Sequence, residues 1–342
     1  MTEDYHPPGV LAGREKCLTH LEVLHEMDAF SIDAVAGLFS KTGFSPHDVD
    51  VIVVNVNMFN PDLCLASRIA HHYGMRDDVV AYNVSTLVSL DIVQNIMRAR
   101  SPRPVVALVV STVVLSPGNY LGTNRSMMLG LCLFRCGGAA ALLTSDPALG
   151  GRAKMKLCRL VRANVAANDD AYSAIFQRED EHNITGFSIN KTLPKAAVRA
   201  FTASLKRLVP YILPVRELVR LATDLIRQKM SQRRRFKIDV NLKTISASTR
   251  GTTSASSVWY VLAYMEAKGR LKREDRVLMV TFGSGFKRNS CMWDVNRDVK
   301  EKGAWADCID EYPVESTANP SLDKYSWMMN VNVDDDSTLP LL

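Results

Sequence analysis

The sequence contains no run of apolar residues long enough to cross a membrane, which takes roughly 18 to 20 consecutive residues. Its polar start, MTEDYHPPG, is unlike a secretory signal peptide. Its cysteines are scattered, without the paired spacing of a zinc site or the density of a disulfide-rich secreted domain. We therefore expect no transmembrane segment, no metal site and reduced thiols, in a chain that by itself is cytosolic or peripheral.

The composition is that of a globular protein with a basic bias. Hydrophobic residues make up 47% and charged residues 23% of the 342 residues, which argues against disordered and fibrous classes. The net charge of +6 favours anionic partners such as nucleic acid, acidic lipid or coenzyme A phosphates. The densest basic run, Arg233-Arg234-Arg235, fits a solvated helix end or a phosphate contact, but it lacks the interleaved aromatic residues of nucleic-acid-binding motifs. No nucleic-acid partner is expected.

Alternating strand and helix patterns predict an α/β fold with buried parallel strands. The predicted helices are Ala29–Thr42, a helix that starts at Asn60-Pro61, Ser89–Arg100, two stretches within residues 194–229, and Ser254–Lys268. The predicted strands are Asp50–Asn57, Val79–Val84, Val105–Val114, Ala139–Thr144 and Arg276–Phe282. We expect an N-terminal half over residues 1–190, a shortened C-terminal half over 191–317 and a poorly ordered tail over 318–342.

Three local features are compatible with a functional site, and each has a simpler structural explanation. Cys64 is predicted near a helix start, where the helix dipole lowers a thiol pKa, but its apolar neighbours favour a core position. His71 and His72 lack the further ligands that zinc requires. The turn Gly283-Ser284-Gly285-Phe286 follows a predicted strand, and its glycines allow a backbone to approach a substrate. An ordinary tight turn is the simpler explanation for this last segment.

Four segments occur in an order that is specific to one family. They contain Met58-Phe59-Asn60-Pro61, the stretch LCLFRCGGAA at Leu131–Ala140, SSVWYVLAYMEAKGRL at Ser256–Leu271 and VTFGSGFKRNS at Val280–Ser290. Together they resemble the plant-type very-long-chain 3-ketoacyl-CoA synthases, the condensing enzymes of fatty acid elongation. The resemblance covers residues 50–299.

This resemblance implies a thiolase-like fold, in which two similar α/β halves form five layers, α-β-α-β-α, usually in a homodimer. It also implies acyl-CoA and malonyl-CoA as substrates, no cofactor, and a place at the endoplasmic reticulum membrane. An acyl-CoA acylates a cysteine, and malonyl-CoA then decarboxylates and attacks the acyl group. The family's chemistry needs a thiolate, together with a histidine and an asparagine that stabilise the enolate oxygen and orient the thioester. On this resemblance we assign Gly283 to Phe286 to substrate binding.

The nucleophile's motif is missing from this chain. In the family it is a Gly-Met-Gly-Cys-Ser-Ala-Gly turn, whose flanks are similar to Tyr82-Asn83-Val84 and Leu90-Asp91-Ile92. Between those flanks stands only STLVS, which has neither glycine nor cysteine. Ser85 and Thr86 occupy the degenerate position, and an alcohol does not form an anion as readily as a thiol does.

The other catalytic groups are missing as well. The chain has no histidine after His182, so the family's His-Ala-Gly-Gly stretch has no counterpart, and the segment from Phe236 to Thr244 is too short for the helix expected there. The resemblance places Thr252 where the family has its asparagine, and a hydroxyl cannot replace an amide NH2. It places Asn164 where the family has a further histidine.

We therefore interpret the chain as a 3-ketoacyl-CoA synthase relative with lost or impaired catalysis and no intact catalytic residue. Three alternatives stay open from the sequence. The chain is an acyltransferase that uses Ser85 or Cys64, a non-catalytic subunit that pairs with an active synthase, or a truncated gene product.

Overall fold

The structure is a computed structural model that describes residues 19–57, 59, 61, 64–84, 88–118, 120–190, 192–212, 254–283 and 287–311. Its helices are α1 (His20–Thr42), α2 (Leu65–His72), α3 (Val88–Ala99), α4 (Arg125–Leu133), α5 (Asp169–Tyr172), α6 (Leu193–Ile212) and α7 (Ser257–Ala267). Its strands are β1 (Val51–Asn57), β2 (Val80–Val84), β3 (Val106–Val113), β4 (Gly137–Thr144), β5 (Met155–Asn164), β6 (Ile175–Glu179), β7 (Thr185–Ile189), β8 (Arg276–Gly283) and β9 (Lys287–Val295).

The first sheet has the strand order β2-β1-β3-β4. Strand β1 pairs in parallel with β2 and β3, as the sequence predicts, and β4 is antiparallel to β3. The run VIVV of β1 is buried on both faces, because helices cover the sheet on both sides. Parallel strands carry their carboxyl ends to one edge, so Asn55, Val84 and Ser111 lie at the same end of the sheet.

The second sheet has the order β5-β9-β8, and its described strands are all antiparallel. The expectation of parallel strands is wrong for this sheet. Strands β8 and β9 are separated only by residues 284–286, and so short a connection joins antiparallel neighbours, whereas parallel strands need a long crossover. Strand β5, which precedes the predicted half boundary at residue 190, pairs with β9 beyond it.

The elements stack in five layers, which confirms the α-β-α-β-α arrangement. Helices α1 and α2 cover the outer face of the first sheet, where Met27 and Leu65 pack in one core with Val54. Helices α3 and α7 lie between the two sheets, and their side chains share a second core with apolar residues of β1, β3, β8 and β9. Helix α6 covers the outer face of the second sheet. The central layer therefore brings the start of α3 between two sheets.

The helix ends show where local signals hold and where they fail. Gly43 ends α1 in the left-handed conformation at a φ of 72°, as its position after Thr42 predicts. The start of α1 is earlier than predicted, because Thr19 and Glu22 form a reciprocal capping box. The predicted helix start at Asn60-Pro61 is wrong: α2 begins at Leu65, and its Ala66 N–H is bonded by a side chain from β2.

Candidate functional site

The candidate site surrounds the first turn of α3, at the carboxyl edge of the first sheet. Strand β2 ends at Val84 and α3 begins at Val88, so only residues 85–87 connect them. From the second sheet, the side-chain oxygen of Asn289 accepts the Val88 N–H at 3.2 Å when its amide is oriented to satisfy both amide atoms. Asn289 thus supplies a side-chain acceptor to one of the orphan amides at this helix start.

Buried polar groups from three further elements line this position. Asn55 of β1 donates to Ser111 Oγ of β3 at 3.4 Å, and the indole N–H of Trp259 on α7 donates to the same hydroxyl at 3.2 Å. Ser89 lies in the first turn of α3 and is fully buried. Asn55 Oδ1 and Ser89 Oγ are buried without a hydrogen-bond partner in the described part of the chain. These groups can bind a polar ligand atom by hydrogen bonds. Their amide, hydroxyl and indole side chains stay neutral near neutral pH, so none of them is a ready acid or base.

Asn83, on the other flank of the connection, has a structural role. Its side-chain oxygen accepts the Ala66 N–H of α2 at 3.1 Å. This residue, the penultimate one of β2, therefore fixes the start of the preceding helix. The short connection lies between this bond and the Asn289–Val88 bond, so both of its ends are held by amide side chains.

The predicted site residues are only partly within the described ranges. Ser85, Thr86, Thr252, Ser284, Gly285 and Phe286 lie outside them. Asn164 ends β5, is exposed, and accepts the Ala166 N–H at 3.0 Å through its own side chain, which fixes the loop that follows. Gly283 is the last residue of β8 and pairs with Lys287, so it forms the base of a hairpin. Its assignment to substrate binding stays a prediction.

Three of the described cysteines, Cys136, Cys158 and Cys291, have a raised thiol pKa. Burial raises the pKa of the Cys136 thiol to about 12, and the nearby Glu26 carboxylate adds to this shift. Burial likewise raises the pKa of Cys291 to about 12, with a further contribution from the negative charge of Asp91. The pKa of Cys158 is also raised, mainly by burial. A thiol with a raised pKa is a poor nucleophile near neutral pH.

Cys64 lies at the N-cap of α2, close to the predicted helix start. Its sulfur is 3.1 Å from Ser67 Oγ, and its side chain is partly buried against the core of the first sheet. No side-chain bond from Cys64 to the helix amides is formed. Cys64 therefore lies at a helix start and also packs against the core, as the sequence predicts.

Two further classes of site are not found in the described ranges. No group of three or more His, Cys, Asp or Glu side chains there is arranged to hold a metal ion. None of the helices in those ranges has the length and apolar character needed to span a membrane.

Asn289 and Asn55 are site residues that the sequence analysis missed. The signal for Asn55 is its place in the otherwise apolar run VIVVNV, where a lone amide on a buried strand needs a partner. For Asn289 no local signal exists, since its partner Val88 is on another element far along the chain.

Comparisons with known proteins agree on one family. The sequence profile of the FAE1/Type III polyketide synthase-like proteins matches residues 1–230, and that of the 3-oxoacyl-[acyl-carrier-protein] synthase III C-terminal region matches residues 222–295. The chain is 40% identical to 3-ketoacyl-CoA synthase 12 of Arabidopsis thaliana, covering 97% of this chain and 81% of the relative. It is 38% identical to Arabidopsis 3-ketoacyl-CoA synthase 3, covering 99% of this chain and 82% of the relative.

Solved structures of the same architecture are more distant in sequence. Germicidin synthase from Streptomyces coelicolor, a type III polyketide synthase, superimposes with a TM-score of 0.61 at 14% identity, over 86% of this chain and 85% of that one. The 3-oxoacyl-(acyl carrier protein) synthase III of Pseudomonas aeruginosa gives a TM-score of 0.59 at 17% identity, over 80% and 84% of the two chains. These likenesses establish the thiolase-like fold, and the extensive identity to the Arabidopsis proteins establishes that the chain belongs to the plant-type 3-ketoacyl-CoA synthase family.

Proposed function

We propose that this chain is a 3-ketoacyl-CoA synthase relative that has lost the condensation of acyl-CoA with malonyl-CoA. The observation that carries the proposal is the connection between β2 and α3, which consists of residues 85–87 alone. Their sequence, Ser-Thr-Leu, contains no cysteine and no glycine. A condensing enzyme of this kind needs a nucleophile at the start of the helix, and this connection offers only alcohols.

The remaining groups support the same conclusion. No histidine follows His182, so the second half has no imidazole to stabilise an enolate oxygen. The described cysteines whose pKa is raised by burial, Cys136, Cys158 and Cys291, are poor substitutes for a reactive thiolate. Around the start of α3, Asn289 bonds the helix amide of Val88, and Asn55 bonds Ser111, so these polar groups have structural partners.

The alignment lengths are consistent with a shortened chain. The alignment to Arabidopsis 3-ketoacyl-CoA synthase 12 runs over 388 positions, 46 more than the 342 residues of this chain. At least that many residues of the relative therefore have no counterpart here. This supports the sequence interpretation that segments of the synthase are missing.

The first experiment tests the acylation step alone. The purified protein is incubated with a long-chain acyl-CoA and its intact mass is measured, with Arabidopsis 3-ketoacyl-CoA synthase 12 as the positive control. We expect the acyl adduct on the control only. A stoichiometric adduct on this chain, mapped to Ser85 or Cys64, would establish the alternative of an active acyltransferase with an unusual nucleophile.

A variant with a restored nucleophile turn separates the loss of the cysteine from the loss of the histidine. Replacing residues 85–89 with the family's Gly-Met-Gly-Cys-Ser-Ala-Gly turn returns a cysteine to the start of α3, where the helix dipole favours a thiolate. This variant is expected to form the acyl adduct without elongating it, because the second half still has no histidine. The same turn with serine in place of cysteine is the matched control.

A second candidate function is that of a non-catalytic subunit paired with an intact synthase at the endoplasmic reticulum membrane, where the family acts. In the described part of the first sheet, β4 is an edge strand. All but one of its residues are partly accessible to solvent. Such an edge can pair with a second chain in an isologous contact. Co-expression with a tagged intact synthase, affinity capture and sizing test this function. Recovery of this chain only in aggregates or as a monomer would rule it out.

A further inference from the structure

Arg288 is a fully buried arginine for which the described part of the chain supplies no counterion. It lies on β9, on the face that is covered by α6, and its side chain has a relative exposure of 0%. Among the described residues, two of its guanidinium nitrogens, Nε and Nη1, find no hydrogen-bond partner, and no carboxylate is within ion-pair distance. A buried cation of this kind is strongly disfavoured unless an anion or hydrogen-bond acceptors compensate it.

Aromatic rings partly compensate the charge. The guanidinium carbon lies 4.2 Å from the centroid of the Phe201 ring on α6 and 5.1 Å from that of Phe282 on β8. Cation–π contacts at these distances are attractive, but they leave the N–H donors unpaired. Burial lowers the pKa of Arg288 to about 10, so the group still carries its charge at neutral pH.

Two hydroxyl groups continue the polar surface beneath α6. Ser290 follows two residues after Arg288 on the same face of β9, and its Oγ is 2.9 Å from Ser204 Oγ of α6. Both serines are buried. Directly opposite Arg288 on β5 is Ala163, whose small side chain leaves the guanidinium without a polar neighbour on that strand. The result is a cluster of hydrogen-bond donors that is enclosed by apolar groups.

Exposed apolar side chains adjoin this cluster. We define an apolar collar as Val198, Phe201 and Phe282, whose relative exposures are 65%, 40% and 47%. Val198 lies one helical turn before Phe201, so the two side chains are neighbours on the surface of α6. The two phenylalanine rings are half-exposed, and side chains of this kind change rotamer rapidly. Because both rings lie against the guanidinium, we expect a ligand to reach it by displacing one of them.

We propose that Arg288 and the collar form a binding site for an anionic amphiphile. A carboxylate or phosphate head group accepts the unpaired N–H groups of Arg288, and an aliphatic tail covers Val198, Phe201 and Phe282. An anion alone would leave the collar uncovered, and a neutral lipid would leave the guanidinium unpaired. The site is on the outer face of the second sheet, whereas α3 lies on the opposite face, so it is independent of the condensation chemistry.

The test compares decanoate with decanamide, which has the same tail and no charge, by isothermal titration calorimetry. A charge-assisted bond to the buried guanidinium is expected to make decanoate bind the unmodified protein about tenfold more tightly. In Arg288→Met the preference for the acid is expected to disappear, while Phe201→Ala weakens both ligands. Arg178→Met is the matched control, because Arg178 also lies over a phenylalanine ring, Phe176, outside the site.

A second arm distinguishes a soluble ligand from a lipid head group. The protein is sedimented with phosphatidylcholine vesicles that contain or lack phosphatidic acid. Sedimentation that needs phosphatidic acid and is lost in Arg288→Met supports the site with a membrane lipid as its source, and preference for decanoate alone supports a free fatty acid. The proposal is overturned if the unmodified protein shows neither preference, or if Arg288→Met retains whichever preference is found.

Discussion

The side chain of Asn289 on β9 accepts the backbone N–H of Val88 at 3.2 Å, so a strand of the second sheet caps the central helix α3 of the fold. Replacing Asn289 with alanine removes this cap in a buried position. We expect the free energy of unfolding to fall by about 1–2 kcal/mol, measured by urea denaturation. Asn168→Ala is the matched control, because the Asn168 side chain caps no helix amide and its oxygen is already unpaired. Equal effects of the two substitutions would contradict the capping role.

Replacing Arg288 is expected to raise the free energy of unfolding, whereas replacing Asn289 lowers it. Methionine has a similar length and no charge, so Arg288→Met removes a buried cation that has no carboxylate partner among the described residues. The ligand-free variant is expected to be more stable than the unmodified protein by about 1–4 kcal/mol. Thermal or urea unfolding measures the difference, with Arg178→Met as the exposed control. A loss of stability in Arg288→Met would mean that the contacts with Phe201 and Phe282 outweigh the cost of burying the charge.

The lowered pKa of Asp50 is expected to make the free energy of unfolding depend on pH. Burial opposes the ionisation of its carboxyl, but hydrogen bonds from the Val106 N–H and from Arg76 outweigh burial and lower the pKa. A carboxyl whose pKa is lower in the folded state stabilises the fold above its ordinary pKa, and the contribution is lost as the pH falls through the folded value. The acid side of the stability profile, below about pH 4, is therefore expected to flatten in Asp50→Asn.

The matched control for Asp50 is Asp78→Asn. Asp78 also pairs with Arg76, at 3.2 Å, but its side chain is exposed. An exposed ion pair contributes little to stability. If both variants change the acid limb to the same extent, the buried hydrogen bonds of Asp50 are not its source.

The thiols are expected to differ in their reactivity toward iodoacetamide. Cys308 is exposed, whereas Cys136 is partly buried, Cys291 is buried, and both have their pKa raised to about 12. Because the reagent reaches an exposed thiol, Cys308 should be alkylated in the native protein, whereas the raised pKa of Cys136 and Cys291 should delay their labelling until the protein unfolds. Peptide mapping with and without urea measures this. Rapid native labelling of Cys291 would show that the core between the sheets opens.

The sequence predicted most of the first sheet because its signals are local. The β-branched runs of β1 and β3 and the glycine after α1 depend only on neighbouring residues. The start of α2 was missed because the Ala66 N–H is bonded by Asn83, which belongs to another element. Strand β9 was missed because its first residues, Lys287 to Ser290, are polar, and their burial depends on β5, β8 and α6.

The site was predicted by what it lacks more than by what it contains. The absence of cysteine from residues 85–89 and of histidine after His182 can be read directly from the chain. The polar groups that surround the start of α3, Asn55, Ser111 and Asn289, come together only through the pairing of β1 with β3 and the stacking of the two sheets. Such long-range neighbours have no local pattern.

The central claim is the loss of condensation, and radiolabelled malonyl-CoA tests it most directly. The purified protein and Arabidopsis 3-ketoacyl-CoA synthase 12 are each incubated with labelled malonyl-CoA and a range of long-chain acyl-CoA substrates, and labelled 3-ketoacyl product is counted. We expect product from the control and only background from this chain, because the β2–α3 connection carries no cysteine and the second half no histidine. Incorporation by this chain at a rate comparable with that of the control would contradict the account.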